Sequence, residues 1–168
     1  DLTDTLLIIS YSHLDKRISL ISISRDLWVN SLKTKINSVY HYGQFQDPNG
    51  GGIKLAQSAI LETLGLPIHY SAVINFTIFR EAIDLVGGID INVVNTFTEN
   101  QYPIEGNENA LPVSSRYESI TFIAGANHMN GDTALKFVRS RHGEGEEGTD
   151  IDRDRRQQLV ISALKQKI

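Results

Sequence analysis

Two arginines near the carboxyl end of the sequence have a spacing that could bind a phosphate. Arg139 and Arg141 follow a predicted helix and are separated by one residue. In an extended segment this spacing sends both side chains to the same side. Converging positive charges repel each other unless an anion lies between them, and a guanidinium binds phosphate through two parallel hydrogen bonds. The pair therefore favours a phosphate or diphosphate site, although a solvated surface explains it equally well.

The last predicted helix, residues 152–168, carries polar residues on its apolar stripe. In order, the stripe contains Arg153, Gln157, Val160 and Leu164. This spacing predicts that Arg153 faces inward, where an unpaired charge would cost several kcal/mol. Its counter-charge is either an internal carboxylate or a bound phosphate. Arg155 and Arg156 are predicted to lie on a solvated face whose charges pair with each other.

A carboxylate and a guanidinium are predicted to meet near the start of the sequence. The apolar run at residues 5–10 and the segment at residues 17–24, which places apolar residues among serines, are typical of two strands joined by a polar turn. In an antiparallel hairpin centred on that turn, Asp4 lies opposite Arg25 at the open end. The contact is either an ion pair at the end of the sheet or part of a magnesium site, since Mg²⁺ binds carboxylate and phosphate oxygens.

Composition excludes several classes of protein and site. The chain has 168 residues, 40% of them hydrophobic, which suits one globular domain. A formal charge of −4 argues against binding to nucleic acid, and the absence of cysteine excludes disulfides and thiolate metal sites. The five histidines lack zinc spacing, and His142 is interpreted as a loop residue. Gly50 to Gly52 is not followed by the Lys-Ser/Thr pair of a phosphate-binding P-loop.

Further elements alternate along the chain, which predicts an α/β domain with a mixed sheet. Helices are predicted at residues 52–64, 79–86 and 133–138, with Asn130 capping the third. Strands are predicted at residues 70–74 and 89–94. Residues 96–119 are predicted to form a long surface segment that could carry a short hairpin, and residues 143–148 a loop. No run reaches the roughly 20 apolar residues of a membrane-spanning helix. Because the chain begins without Met, we expect that it is cut from a longer protein.

Six segments resemble one protein family, in the family's order. They are TDTLLIIS, ISLISISRDLWV, KIN, LVGGIDINV, MNGDTALKFVRSRH and DIDRDRRQQLVISALKQK. The ordered set of SRD, KIN, RSR and D-x-x-R-x-x-R-Q-Q resembles the LytR-CpsA-Psr family across nearly the whole chain.

The resemblance implies a fold, a location and an activity. The expected fold is a three-layer α/β/α sandwich with a mixed central sheet and an apolar tunnel, formed by one catalytic domain over residues 1–168. Family members are bacterial proteins with an N-terminal membrane anchor, expected to precede this sequence, and with the catalytic domain outside the cytoplasmic membrane. They transfer teichoic acid, capsule or related glycopolymer from a polyprenyl diphosphate carrier to peptidoglycan, and several use Mg²⁺. The implied partners are therefore the lipid-linked glycopolymer, peptidoglycan and the membrane, and not nucleic acid.

The resemblance also implies roles for individual residues. Asp4 matches the metal-binding aspartate, and Asp4 and Arg25 are the expected catalytic residues. The residues that match diphosphate-binding positions are Arg25, Arg139, Arg141, Arg153 and Gln157, together with Lys35 of KIN. Two positions depart from the family pattern, with Ser24 in place of proline and Asp152 in place of glycine. No general base is assigned, since arginine has too high a pKa for that role.

Two alternative functions fit the same residues. The domain could hydrolyse polyprenyl diphosphates without transferring the polymer, or it could be a binding module or transcriptional regulator. The acidic charge and the absence of a basic recognition helix count against DNA binding.

Overall fold

The computed structural model describes residues 2–141 and 148–167, so the interpretation of His142 and most of the predicted loop at 143–148 lie outside the described residues. The chain divides into two compact units, Asp1–Val73 and Ile74–Ile168. The single domain expected from the chain length stays a prediction. No helix within the described ranges is both long and apolar enough to cross a bilayer.

The first unit begins with the predicted hairpin. Strands β1 (Leu6–Ser12) and β2 (Arg17–Ile23) pair antiparallel, with Leu6 opposite Ile23 and Ser12 opposite Arg17. Extending this register by two residues at the open end pairs position 4 with position 25. The predicted centre of the hairpin is therefore confirmed.

Two short strands and two helices complete the first unit. They are β3 (Trp28–Val29), β4 (Thr34–Lys35), α1 (Ile36–Gln46) and α2 (Gly51–Leu64). Helix α2 confirms the helix predicted at residues 52–64. Helix α1 was not predicted, because its buried side includes Asn37 and Ser38 beside Ile36 and Val39. The helices approach closely near Gly43, where a Cβ atom would lie 2.3 Å from the carbonyl oxygen of Gly51.

Within residues 74–141 and 148–167, the second unit contains three helices and four strands. In chain order they are α3 (Phe76–Leu85), β5 (Ile89–Val93), β6 (Phe97–Pro103), a 3₁₀ turn (Val113–Arg116), β7 (Tyr117–Phe122), β8 (Gly125–Met129), α4 (Gly131–Arg139) and α5 (Asp150–Lys167). Strand β5 pairs with β8, and β6 pairs with β7. The Asn130 cap is confirmed, since its Oδ1 atom accepts a hydrogen bond of 2.9 Å from the Thr133 amide.

Two predictions about strands need correction or refinement. The segment at residues 70–74 is not a strand, and Tyr70 and Ile74 are exposed. A β-branched run becomes a strand only when a partner pairs with it, and this segment leads directly to the Asn75 cap of α3. The hairpin within residues 96–119 is confirmed by β6 and β7, but it is less superficial than predicted because Phe97 and Tyr102 are buried.

Three phenylalanines form the centre of the second core. Phe97, Phe122 and Phe137 are buried, and their ring centroids lie 5.1 to 6.1 Å apart. Offset or edge-to-face aromatic pairs at such distances add to the stabilisation from burial. This cluster joins the β6–β7 hairpin to α4 and therefore supports the end of that helix.

The α/β class is confirmed by this mixture of helices and strands. Within residues 2–141 and 148–167, the strands pair as four antiparallel two-stranded sheets. The parallel pairing expected in a mixed central sheet is therefore not among these pairs.

Candidate functional site

Asp4 and Arg25 meet as predicted. Arg25 Nη1 donates a hydrogen bond of 3.0 Å to Asp4 Oδ1, and the side chains are 19% and 50% exposed, respectively. Asn37, in the first turn of α1, holds both segments: its amide donates to the Arg25 carbonyl at 3.2 Å, and its carbonyl accepts from the Thr3 amide at 2.8 Å. The ion pair is therefore fixed by backbone contacts and keeps a solvent-accessible carboxylate.

Lys35 forms a second ion pair in the first unit. Its Nζ atom is 2.9 Å from Asp26 Oδ1, and both side chains are exposed. Lys35 also occupies the N-cap position of α1. Two acids and two bases are thus brought together where β2 ends and α1 begins. An exposed ion pair contributes little to stability, so Lys35 can turn toward another anion at low cost.

Arg139 is held against aromatic rings in the second unit. It is the last residue of α4, and its Nη1 atom donates a 3.2 Å hydrogen bond to the Tyr102 hydroxyl. Its guanidinium carbon lies 4.3 Å from the Phe76 ring centroid and 5.4 Å from that of Tyr102. Burial raises the pKa of Tyr102, an effect that the charge of Arg139 partly opposes. The hydroxyl therefore stays neutral at physiological pH and fixes the guanidinium.

The backbone of Arg141 is anchored by a buried carboxylate. Its amide donates a 2.7 Å hydrogen bond to Glu99 Oε2, while the Arg141 side chain is exposed. The predicted extended geometry needs correction, because Arg139 is helical and the chain becomes extended only at Ser140, with φ −54° and ψ 129°. The spacing argument for parallel side chains therefore does not apply to Arg139 and Arg141.

The stripe predicted on the last helix is only partly right. Arg153 is 4% exposed and Val160 is buried, as expected. Gln157 is only partly buried, because the buried face passes through Arg156 and Ala163 instead. The true stripe follows the helical spacing of three, four and three residues.

Arg156 was wrongly predicted to be solvated. It is 2% exposed, with its guanidinium carbon 5.0 Å from the Phe97 ring centroid. Its Nε and Nη2 atoms donate hydrogen bonds of 3.0 and 2.6 Å to the carbonyls of Phe137 and Ser140. The signal in the sequence is its position three residues after Arg153 and four before Val160. Arg155 is exposed, as predicted.

The described residues offer a divalent cation few ligands. No group of three or more His, Cys, Asp or Glu side chains in residues 2–141 and 148–167 could hold a metal ion. Asp4 supplies one half-exposed carboxylate. Mg²⁺ commonly binds to one or two carboxylates and completes its coordination with phosphate oxygens and water. Asp4 therefore fits a magnesium ion that is shared with a bound phosphate, not one held by the protein alone.

A surface depression lies beside Arg156. It encloses only about 10 Å³ and is lined by Val93, Val94, Phe97, Phe137, Leu159, Asp152, Arg155 and Arg156. Small-molecule pockets usually measure about 300–1,000 Å³. This depression is therefore not the long apolar tunnel that the family resemblance implies.

The predicted site residues divide between the two units. Asp4, Arg25 and Lys35 lie in the first unit, whereas Arg139, Arg141, Arg153 and Gln157 lie in the second. The first group is organised around an ion pair at the end of a hairpin. The second is organised around the carboxyl end of α4 and the buried face of α5. Each group offers guanidinium or ammonium donors of the kind that bind phosphate oxygens.

Known proteins are similar to this chain in sequence and in fold. A model described as the LytR_cpsA_psr family matches residues 1–168. The chain is 30% identical to Regulatory protein MsrR of Staphylococcus aureus, covering 99% of this chain and 44% of that protein. It is 28% identical to the polyisoprenyl-teichoic acid–peptidoglycan teichoic acid transferase TagU of Enterococcus faecalis, covering 99% and 47%. The chain thus spans less than half the length of these curated relatives.

A solved structure confirms the fold. The crystal structure of Bacillus subtilis TagV superposes with a TM-score of 0.70 at 27% identity, covering 99% of this chain and 57% of that one. The match of the family model over the whole chain, together with this fold, shows that the chain belongs to the LytR-CpsA-Psr family.

Proposed function

We propose that the chain is the catalytic part of a phosphotransferase that moves a glycopolymer from a polyprenyl diphosphate carrier to peptidoglycan. The glycopolymer is a teichoic acid, a capsule polysaccharide or a related polymer. The name of the Enterococcus faecalis relative supports this substrate class, since it describes transfer of teichoic acid from a polyisoprenyl carrier to peptidoglycan. A bacterial membrane anchor and an extracytoplasmic catalytic domain belong to the same proposal.

The observation that carries the proposal is the fixed guanidinium of Arg139. Only one of its N–H groups is hydrogen-bonded to Tyr102, and the Phe76 ring supports its face. Arginine has five N–H donors in a planar fork, so Arg139 retains donors that can bind phosphate oxygens. Holding this group in advance lowers the entropic cost of binding and orients the phosphate.

Positive charge is the main requirement of the proposed reaction. Phosphoryl transfer depends on positioning and on stabilisation of charge that develops on phosphate and leaving-group oxygens. Arg139, Arg141 and Arg153 supply that charge in the second unit, with Gln157 as a further hydrogen-bond donor. Arg25 and Lys35 supply it in the first.

The proposed step exchanges one phosphorus–oxygen bond for another. An acceptor hydroxyl of peptidoglycan attacks the phosphorus that carries the glycopolymer. The bond to the bridging oxygen breaks, and polyprenyl phosphate leaves with that oxygen and its electron pair. The hydroxyl proton passes to a base that the residues described here do not identify. Asp4 would hold Mg²⁺ together with substrate phosphate oxygens, and the ion would neutralise charge on those oxygens.

Exposed apolar side chains suit the lipid carrier. On α2, Leu61 and Leu64 are exposed, and on α3 so are Phe76, Ile78 and Leu85. Each methylene that leaves water gains about 0.8 kcal/mol, so even a few isoprene units in contact with such side chains would bind measurably. Apolar surface on both helices therefore supports a polyprenyl substrate.

The test replaces the phosphate-binding arginines. Arg139→Ala and Arg141→Ala should each lower the rate of polymer transfer to peptidoglycan by about 10²–10³-fold, as expected for removing a group that stabilises transition-state charge. Arg17→Ala, at an exposed position of the first hairpin, is the matched control and should transfer normally. Unchanged turnover in the first two variants would remove these arginines from the mechanism. Product release that is identical with and without peptidoglycan would instead support simple hydrolysis.

A further inference from the structure

The segment from Arg139 to Arg141 leaves α4 at a place where backbone groups need new partners. Arg139 is the last helical residue, and Ser140, the C-cap, is fully buried. The last carbonyls of a helix have no partner within the helix. Their hydrogen bonds therefore decide how the chain leaves α4 and where the two arginines point.

Arg156 satisfies two of these carbonyls with one side chain. Its Nε atom donates to the Phe137 carbonyl at 3.0 Å and its Nη2 atom to the Ser140 carbonyl at 2.6 Å. These carbonyls lie on either side of Arg139 in the chain. The planar guanidinium of Arg156 therefore bridges the backbone around Arg139, whose own guanidinium stacks on the Phe76 ring. A positive charge is also favourable at the carboxyl end of a helix. Lysine carries all its donors on one nitrogen atom, so it cannot contact the two carbonyls through two separate atoms of a planar group.

Glu99 fixes the amide end of the peptide group whose carbonyl Arg156 binds. It lies on β6, is 1% exposed, and accepts hydrogen bonds from the amides of Arg141 at 2.7 Å and Gln101 at 2.9 Å. Hydrogen bonds to a charged acceptor are about twice as strong as those between neutral groups. The peptide group between Ser140 and Arg141 is thereby held at its carbonyl by Arg156 of α5 and at its amide by Glu99 of β6.

We infer that Arg156 and Glu99 are positioning residues that hold Arg139 and Arg141 in the geometry required to bind a diphosphate. This inference rests on the proposed function for its ligand. Arg156 and Glu99 act on backbone atoms of the segment, and their replacement weakens binding by displacing Arg139 and Arg141. Tyr102 and Phe76 then set the side-chain direction of Arg139 alone.

The experiment compares Arg156→Lys and Glu99→Gln with the matched control Arg155→Lys on the exposed face of the same helix. The probe is geranylgeranyl diphosphate, and the dissociation constant is measured on the full chain at fixed ionic strength. Loss of charge-assisted hydrogen bonds should weaken binding by about ten- to hundredfold in the two test variants. The Arg155→Lys variant should bind as the unchanged protein does.

Two further measurements separate positioning from a general loss of structure. The Arg141 amide should exchange with solvent faster in Glu99→Gln, because the variant has lost the charge and has one acceptor oxygen for the two amides that Glu99 binds. In a background that already carries Arg139→Ala and Arg141→Ala, Arg156→Lys should weaken the remaining binding less than twofold. The reason is that Arg156 acts on binding through these two arginines, which are already absent. General destabilisation would lower binding equally in both backgrounds.

The outcomes distinguish this inference from the proposed function. If the unchanged protein binds the diphosphate and both test variants bind equally well, the inference is wrong and the proposed function stands. If the unchanged protein does not bind it, the proposed function fails, and exchange of the Arg141 amide still decides the positioning role of Glu99. Should Arg156→Lys not fold, Glu99→Gln tests the same inference at the amide end of the same peptide group.

Discussion

The Asp4 carboxylate accepts a 3.0 Å hydrogen bond from Arg25, 21 residues away in the sequence, across the open end of the first hairpin. The register of β1 and β2 dictates this contact, since it places residues 4 and 25 opposite each other. Half of the Asp4 side chain stays exposed. The arginine therefore fixes the carboxylate without covering it.

Replacement of Asp4 should separate function from stability. Asp4→Asn removes the charge but keeps the shape, and a partly exposed ion pair contributes about 1 kcal/mol or less to folding. We expect a small change in the denaturant midpoint and a clear loss of magnesium-dependent polymer transfer. A magnesium titration of transfer activity measures the second effect. Asp15→Asn, in the exposed turn of the same hairpin, is the control. A variant with the same magnesium dependence as the original chain would exclude Asp4 as a metal ligand.

Removal of the Tyr102 hydroxyl should loosen Arg139 without unfolding the chain. Tyr102→Phe keeps the ring near the guanidinium but deletes the acceptor of the 3.2 Å hydrogen bond. The loss of such a bond corresponds to about 0.5–1.5 kcal/mol, so diphosphate affinity should fall about two- to tenfold. Calorimetric titration with geranylgeranyl diphosphate measures it. Tyr117→Phe, a half-exposed position on β7, should have no effect. Equal affinities for the two variants would contradict this role of the hydroxyl.

The aromatic cluster should dominate the stability of the second unit. Phe137 is 1% exposed, and truncation of a buried phenylalanine to alanine typically costs about 3–5 kcal/mol. Phe137→Ala should therefore lower the free energy of unfolding by that amount in a urea titration. Phe45→Ala is the control, because Phe45 is 83% exposed. A loss below about 1 kcal/mol would show that the cluster does not hold this core together.

Asp90 should contribute to acid sensitivity. Its hydrogen bond with His128, at 2.7 Å, and then that with Lys167, at 2.9 Å, hold the pKa of Asp90 below its ordinary value of 3.8. A depressed pKa gives stability that is complete above the unfolded-state value and disappears as the pH falls through the folded-state value. The contribution of Asp90 is therefore lost below pH 3.8.

The matching experiment is a thermal unfolding series from roughly pH 5 to 2. Asp90→Asn should flatten the acid side of this profile, because the variant has no carboxylate to protonate. Asp154→Asn, on α5, is the comparison. An Asp90→Asn profile parallel to that of the original chain would mean that the pair with His128 has no influence on folding.

Local sequence patterns predicted much of the backbone, because local interactions are sufficient to specify the elements concerned. Apolar alternation and a polar turn specify the register of the first hairpin, and a side-chain cap with helical spacing specifies α4. The strand expected at residues 70–74 fails for the opposite reason. A strand depends on a partner elsewhere in the chain, and the residues of the segment itself do not show whether such a partner exists.

The sequence by itself determined the family, the α/β class, the Asp4–Arg25 contact and the inward position of Arg153. Each follows from the order of motifs, from a helical periodicity or from a strand register, and these depend mostly on residues that are close together in the sequence. Only the tertiary structure decided that Glu99 is buried, and that Arg156 and Glu99 hold the segment between Arg139 and Arg141. Their hydrogen bonds join residues 16, 19 and 42 positions apart. A buried charge is stable only beside partners that folding brings to it, so helical spacing can place an arginine on the inner face but cannot identify the groups that bind it.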